Sequence, residues 1–199
     1  MSAGLKANAD GSAAIQVGGS DAITITSGLN TTFVGTVTSP TGTLYPLVSG
    51  TAVTASGTSV DFTGIPSTAK RITVMFNGIS TNGSSTPIVR LGDSGGIETT
   101  GYVSAADDSV TIGTTTIGFL ISGSMAAANT LFGCMTINLI GSNIWVAMGN
   151  LTSDRTGGNV VNMSFSGGKT LSDVLTQVRI TTVNGTDTFD AGSINIMWE

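Results

Sequence analysis

The chain has 199 residues, a formal net charge of −5 and 40% hydrophobic residues, and Gly, Ser and Thr fill 83 of its positions. This length accommodates one medium-sized domain with an appendage, and the hydrophobic content argues against disorder. The seven basic residues are scattered, so they form no stripe that could follow a nucleic-acid backbone or an anionic membrane. We therefore expect a folded protein that binds no nucleic acid.

The N-terminal residues MSAGLKANADGS contain no apolar core of signal-peptide length. The longest apolar runs, such as residues 117–121, are far too short to cross a bilayer. The sequence thus predicts a soluble protein that is made in a cytoplasm and does not insert into a membrane.

Residues 1–45 carry short β-prone runs, AAIQV, AITIT and TFVGTVT, separated by segments rich in Gly and Ser. Strands this short bury too little surface to offset the loss of chain entropy by themselves. No charged residue lies between Asp21 and Asp61, which suits strands stacked against neighbouring chains. We predict a β stalk in which copies of the chain intertwine.

Residues 46–199 are typical of an antiparallel β-sandwich head. The run RITVMFNGI alternates, with Ile72, Val74 and Phe76 on one face, and similar runs continue to the C-terminus. Turn signals separate these runs at Asn82-Gly83, Gly141 to Asn143, Gly157-Gly158, Gly167-Gly168 and Asn184-Gly185.

Two further patterns lie within this second segment. Leu171, Val174, Leu175 and Val178 have helical spacing, which predicts one short helical turn. The 45 residues from 109 to 153 carry no charge, so Thr, Ser and Asn must form the outer face of these strands or another subunit must cover part of it.

The motif GDSGG at residues 92–96 matches the nucleophile signature of trypsin-like serine proteases. The chain contains no histidine, and the serine of that mechanism needs a histidine to move its proton in both directions. We interpret the motif as a tight Gly-rich turn between strands.

No other group forms a recognisable reactive site. The single Cys134 lies in an apolar run and predicts a buried, inert thiol, and one cysteine without histidine cannot build a zinc site. The aspartate pairs Asp107-Asp108 and Asp187/Asp190 lack the ligand density of a calcium loop. No spacing singles out a glycosidase pair among the candidate carboxylates Asp93, Glu98, Asp107, Asp108 and Asp154. We expect no catalytic residue, no metal and no cofactor.

Three stretches resemble bacteriophage tail-fibre proteins. ADGSAAIQVGGSDAITIT, followed by TFVGTVT, is similar to fibre stalk segments. Residues 57–102, GTSVDFTGIPSTAKRITVMFNGISTNGSSTPIVRLGDSGGIETTGY, resemble a domain found near the C-terminus of tail fibres and related virion proteins, and the terminal KTLSDVLTQVRITTVNGTDTFDAGSINIMWE does so too. Residues 105–168 match less clearly, as a variable recognition region would.

The resemblance implies an all-β protein of the phage virion, with a stalk over residues 1–45, a jelly-roll-like β-sandwich head over residues 46–199, and a homotrimeric assembly. The implied function is attachment of the phage tail to the host cell by non-covalent receptor binding, without enzymatic activity. The implied partners are copies of the chain, other tail or baseplate proteins, and a host surface glycan or protein. The alternative is a purely structural head fibre, decoration or connector protein.

Receptor binding is expected in the loops 77–86, 101–108 and 149–159, because loops rich in Ser, Asn and Gly give adaptable hydrogen bonding. Tyr102 and Trp145 are the aromatic candidates for stacking on a sugar, although a Trp in a sandwich is more often part of the core. The candidate receptor-binding residues are Tyr102, Asp107, Asp108 and Asn82.

Overall fold

The protein is described from a computed structural model, and it consists of antiparallel β-strands. It divides into two compact units, Met1–Pro46 and Leu47–Glu199. The part of the chain that the structure describes contains no helix, and therefore none long and apolar enough to span a membrane. The described residues are 3–9, 11, 13–17, 20–25, 31–33, 38–39, 42–43, 46–155 and 157–199.

The first unit contains a four-stranded antiparallel sheet whose strands follow one another in chain order. Leu5 pairs with Ile15, and Ile15 pairs with Ile23, so three apolar residues lie in one row across three strands. Leu5 is 81% exposed, Ile15 is 40% exposed and Ile23 is half-buried, so much of this row is open to solvent in a single chain. The strands of this unit are β1 (Ala3–Ala7), β2 (Ala13–Val17), β3 (Ser20–Ile25), β4 (Thr31–Phe33) and the short pair β5 (Thr38–Ser39) and β6 (Gly42–Thr43).

The second unit is built from two antiparallel sheets. The larger sheet runs, in spatial order, through β14 (Ile112–Thr115), β13 (Tyr102–Asp107), β18 (Asn159–Thr170), β17 (Ile144–Arg155), β16 (Thr130–Gly141), β10 (Arg71–Thr81), β20 (Phe189–Trp198) and β7 (Val48–Ser49), with β8 (Val53–Thr54) also paired to β20. The smaller sheet runs through β12 (Gly96–Ile97), β11 (Pro87–Asp93), β19 (Gln177–Thr182) and β9 (Ser59–Thr63), with β15 (Phe119–Leu120) paired to β11.

Both sheets of the second unit contribute to one hydrophobic core. The predicted alternation on β10 is confirmed, because Ile72, Val74 and Phe76 are buried while the residues between them are less so. Leu91 and Val178 enter the same core from the smaller sheet. Burying this many aliphatic and aromatic side chains supplies the main drive for folding this unit.

The predicted helical turn over residues 171–178 is wrong. This segment connects β18 to β19 without a helix, because its backbone bonds reach distant strands: the Leu171 N–H donates to the Asn143 carbonyl and the Thr176 N–H donates to the Gly92 carbonyl. Leu171 and Leu175 are buried, as their hydrophobicity requires, whereas Val174 is exposed. The helical spacing therefore reflects the packing of a loop.

The prediction of a turn at Gly167-Gly168 is also wrong, since both residues lie inside β18. A side chain at Gly167 would meet the ring of Phe119, because its Cβ would lie 2.8 Å from a ring carbon. Glycine is present here to admit an aromatic ring, which is a common reason for glycine within a strand.

Cys134 is exposed, and the prediction of a buried thiol is wrong. Its neighbour Met135 faces the core, so the strand alternation turns Cys134 outward. An apolar run on a long strand thus does not bury every member.

Gly149 of β17 provides a test of the core packing. A Cβ on Gly149 would lie 2.3 Å from the Cys134 carbonyl oxygen and 2.5 Å from the Phe165 ring, whereas on Gly168 its nearest neighbour would be 3.9 Å away. We expect Gly149→Ala to lower the free energy of unfolding by about 1–3 kcal/mol, because overpacking forces the ring or backbone to move. Gly168→Ala is the matched control and should change it by less than about 0.5 kcal/mol. Urea denaturation measures both, and equal effects would contradict this packing.

Candidate functional site

The outer face of the larger sheet is the most distinctive surface of the second unit. Its strands place apolar residues on the core side and leave Ser, Thr and Asn between them on the other side. Several large apolar side chains also project outward among these polar ones: Val103, Ile112, Phe132, Ile140, Ile144, Met148 and Val160. The outer face is therefore almost uncharged but not uniformly polar.

An open groove of about 610 Å³ crosses this face over the strands β14, β13, β18, β17 and β16. Two cross-strand rows of outward residues form its floor. We call them the Asp107 row, which comprises Ile112, Asp107, Ser164, Asn150 and Cys134, and the Ser166 row, which comprises Ala105, Ser166, Met148 and Thr136.

The polar centre of the groove consists of Asp107, Ser164 and Asn150, which lie directly opposite one another on three neighbouring strands. All three are exposed. Asp107 accepts one hydrogen bond through Oδ1, from the N–H of Ser109 at 2.7 Å. A carboxylate, a hydroxyl and an amide at strand spacing offer both donors and acceptors to one ligand.

Tyr102 does not offer a stacking surface. Its ring is buried and meets Phe119 edge-on at 5.0 Å between centroids. Its hydroxyl accepts from the Leu91 N–H at 2.7 Å and donates to the Glu98 carbonyl at 3.1 Å, and burial raises the pKa of Tyr102 well above its usual range. Trp145 is buried as well. The expectation of an exposed aromatic at Tyr102 is wrong, because β13 turns this residue toward the core.

Asp107 and Asp108 occupy opposite environments although they are neighbours. Asp108 is fully buried, and its carboxylate accepts from Arg155 at 2.7 Å, from the Ser124 hydroxyl and from the N–H of Thr111 at 2.7 Å. Burial raises the pKa of Asp108, but these hydrogen bonds outweigh it and lower the pKa to about 2. Asp108 therefore stabilises the fold, and only Asp107 is available to a ligand.

Asn82 is exposed, but its amide oxygen is engaged, because it accepts from the Thr188 N–H at 2.8 Å. The adjacent Gly83 lies against Asp187, since a Cβ on Gly83 would come within 2.1 Å of Asp187 Oδ2. The two oxygens of Asp187 accept from Ser85 and Asn184. This network joins two turns, and nothing in it points to a ligand.

The three segments expected to be recognition loops are largely strands. Residues 77–81 belong to β10, residues 102–107 to β13 and residues 149–155 to β17. Outside the strands, the described residues of these segments are 82–86, 101, 108 and 157–158. The prediction of these loops is wrong in extent, because their Ser, Asn and Gly residues serve as the outward positions of strands.

The GDSGG motif forms the predicted turn, since Asp93 ends β11 and pairs with Gly96 of β12. Asp93 Oδ1 accepts from the Gly95 N–H at 2.8 Å, which closes the turn, and Ser94 is exposed. The sequence Ser-x-x-Lys, in which a lysine can act as the base for a serine nucleophile, occurs twice in the chain, at residues 67–70 and 166–169. In the second, Ser166 faces outward and Lys169 inward on the same strand, so they cannot act on one proton.

Asp93 and Glu98 converge on Ser172, a grouping that the sequence spacing did not reveal. The Ser172 hydroxyl lies 2.7 Å from Asp93 Oδ2 and 2.8 Å from Glu98 Oε1, and buried Lys169 forms an ion pair with Glu98. The Ser172 hydrogen bond lowers the pKa of Asp93. Burial raises the pKa of Glu98, but Lys169 and Ser172 outweigh it, so this pKa also lies below its usual range. Neither carboxyl has the raised pKa of a general acid.

Metal-ligating side chains do not gather in the part of the chain covered by the structure: no group of three or more His, Cys, Asp and Glu residues there could hold an ion. Asp187 and Asp190, which were considered above as calcium ligands, belong to no such group.

Comparison with known proteins adds no assignment: no protein-family model, no curated protein and no solved structure matches the chain. The resemblance to tail fibres therefore remains a prediction, and the groove is the feature on which a functional proposal can be built.

Asp108 and Asp107 form a matched pair for separating a structural role from a binding role. We expect Asp108→Asn to lower the free energy of unfolding at neutral pH by about 3 kcal/mol, because it leaves Arg155 without its buried partner. Asp107→Asn, at an exposed position, should change it by less than about 0.5 kcal/mol.

The same pair predicts a pH dependence. The folded-state pKa of Asp108 is depressed to about 2, below an unfolded value of about 3.9, so its contribution is present above the unfolded value and is lost as the pH falls through the folded one. The stability difference between wild type and Asp108→Asn should therefore shrink between about pH 4 and pH 2. A difference that stays constant over that range contradicts the assignment.

Proposed function

We propose that this chain is a phage virion fibre protein, a tail fibre that attaches to the host cell by non-covalent receptor binding and has no enzymatic activity. The observation that carries this proposal is the open groove on the outer face, whose polar centre of Asp107, Ser164 and Asn150 is exposed on rigid strands. A surface held by strands rather than by loops is pre-organised for a ligand.

The proposal includes a homotrimer with a stalk over residues 1–45 and a jelly-roll-like sandwich head over residues 46–199. The row of Leu5, Ile15 and Ile23 supports association through the first unit. Covering an apolar row with another copy of the chain removes it from water, which lowers the free energy. The shared core of the two sheets supports the sandwich. Docking to other tail or baseplate proteins would place this fibre on the virion.

Multivalency explains why a shallow groove is sufficient for attachment. Three grooves on one fibre, and several fibres on one particle, convert later binding events into intramolecular ones, which raises avidity without new contacts. A weak and rapidly exchanging single site is consistent with this arrangement.

The trimer predicts a mass change upon substitution in the apolar row. The wild-type protein should scatter light as three chains, and Leu5→Glu combined with Ile15→Glu should give single chains, because carboxylates in the row oppose its burial. Lys6→Gln, one residue along and on the other face, is the control and should remain trimeric. A wild-type protein with the mass of one chain would remove this part of the proposal.

Attachment predicts that labelled protein binds cells of at least one strain in a panel of bacteria. We expect Asn150→Ala combined with Ser164→Ala to weaken this binding at least tenfold without changing the denaturation midpoint, since both side chains are exposed. Thr152→Ala combined with Asn162→Ala is the matched control, because this pair lies on the same two strands and outside the groove. If wild type binds no strain, a purely structural head fibre, decoration or connector protein is the better description. If wild type binds cells and both double variants bind like it, attachment stands but the groove does not carry it.

A further inference from the structure

We infer that the groove binds an uncharged polysaccharide, laid across the strands, and not an anionic one. The inference rests on the proposed function and specifies the receptor's chemistry. It depends on where the chain places its positive charges and on which groups line the groove.

Most cations of the second unit are committed to acidic partners within the chain. Within residues 46–155 and 157–199 the structure shows four ion pairs, Arg71–Glu199, Arg155–Asp108, Lys169–Glu98 and Arg179–Asp61. Arg90 donates through Nε to the carbonyl of Ile117 at 2.8 Å. The four paired groups therefore neutralise carboxylates of the protein itself, and Arg90 is held by a backbone carbonyl. The remaining cation of this unit, Lys70, is exposed but does not line the groove.

The groove itself carries no positive charge. Among the described residues, Asp107 is the only charged one in its lining, and the other polar side chains there are three hydroxyls, one amide and the thiol of Cys134. A polyanion would meet a negative potential here without a compensating donor of the kind that Arg or Lys supplies. The electrostatics thus oppose the binding of acidic capsule or teichoic-acid chains in this groove.

The same lining suits the hydroxyl groups of a neutral sugar, which both donate and accept hydrogen bonds. Asp107 accepts, while Asn150, Ser164 and Ser166 each donate and accept. Among the described residues, no hydrogen bond within the chain uses the side chains of these last three. Met148 lies next to Ser166, and Ile112 lies next to Asp107. Both side chains are exposed and provide apolar contact for the C–H faces of a sugar ring.

The dimensions of the groove favour a chain of several sugar units. Neighbouring strands are separated by about 4.8 Å, so the Asp107 row, on five strands, extends for roughly 19 Å across the sheet and the Ser166 row, on four strands, for roughly 14 Å. A peptide ligand is less suited to this face, because extended peptides bind at a sheet edge, where unpaired backbone groups are available.

The first experiment measures binding of the full-length protein to immobilised neutral oligosaccharides, made of hexose and N-acetylhexosamine units, and to matched chains bearing uronate, sialate or phosphate. We expect binding to at least one neutral chain, with a dissociation constant that changes less than twofold between 50 and 500 mM NaCl, because no ion pair forms. Binding to anionic chains alone, or binding that weakens tenfold with salt, overturns the inference. Either of these two results leaves the fibre proposal in place.

A charge introduced into the groove gives the second readout. Ser166→Lys should weaken neutral-chain binding at least fivefold, because it fills the floor with a long charged side chain, whereas Asn162→Lys, on the same strand and face but outside the groove, should not. If the Ser166→Lys variant binds the same ligand more tightly than the wild-type protein does, the ligand is anionic and the inference is contradicted.

Periodate treatment of bound cells separates the receptor's chemistry from attachment itself, since it oxidises the vicinal diols of sugars. We expect cell binding to be lost after treatment, whereas binding that survives periodate and is lost after protease treatment of the cells indicates a protein receptor and overturns the inference alone. If no strain is bound but a neutral chain is, the fibre proposal fails and the ligand class stands. If neither is bound, both are overturned.

Discussion

The alternation of side chains along the long strands of the larger sheet is the constraint on which the rest of the structure depends. A strand sends successive residues to opposite faces, and once the core fixes one of them, every other residue on that strand is assigned. For this reason Tyr102 is buried and Val103 exposed on β13, and Met135 is buried and Cys134 exposed on β16. The residues that form the floor of the groove are those that alternate with the buried core residues along the same strands.

The core also determines how charge is used. Buried Asp108 and Lys169 require partners, because an isolated charge in the interior is costly, and Arg155 and Glu98 supply them. These pairs engage Arg155 and Lys169 within the fold, and the described residues that line the groove include no cation. Structural stabilisation and the proposed preference for a neutral ligand therefore share one cause.

Local patterns in the sequence predicted the class of fold but not the site. The alternation of Ile72, Val74 and Phe76 and the turn formed by GDSGG could be predicted, because each depends on residues close together in the chain. Asn150 and Ser164 could not be brought together from sequence, because their pairing depends on the register between β17 and β18. A slip of one residue would turn either side chain to the core. The convergence of Asp93 and Glu98 on Ser172 depends likewise on the packing of distant segments.

The errors over Tyr102 and the recognition loops have the same physical origin. Ser, Asn and Gly are typical of loops, but on a one-sided sheet they equally fill the solvent face of a strand, and composition alone cannot separate the two cases. A binding surface on strands has a consequence of its own. Outward residues such as Ser164 and Ser166 contribute little to the core, so they can be exchanged without loss of stability, whereas Phe165 between them cannot. If the groove has the proposed binding role, its sheet face can therefore change its ligand while the fold is kept.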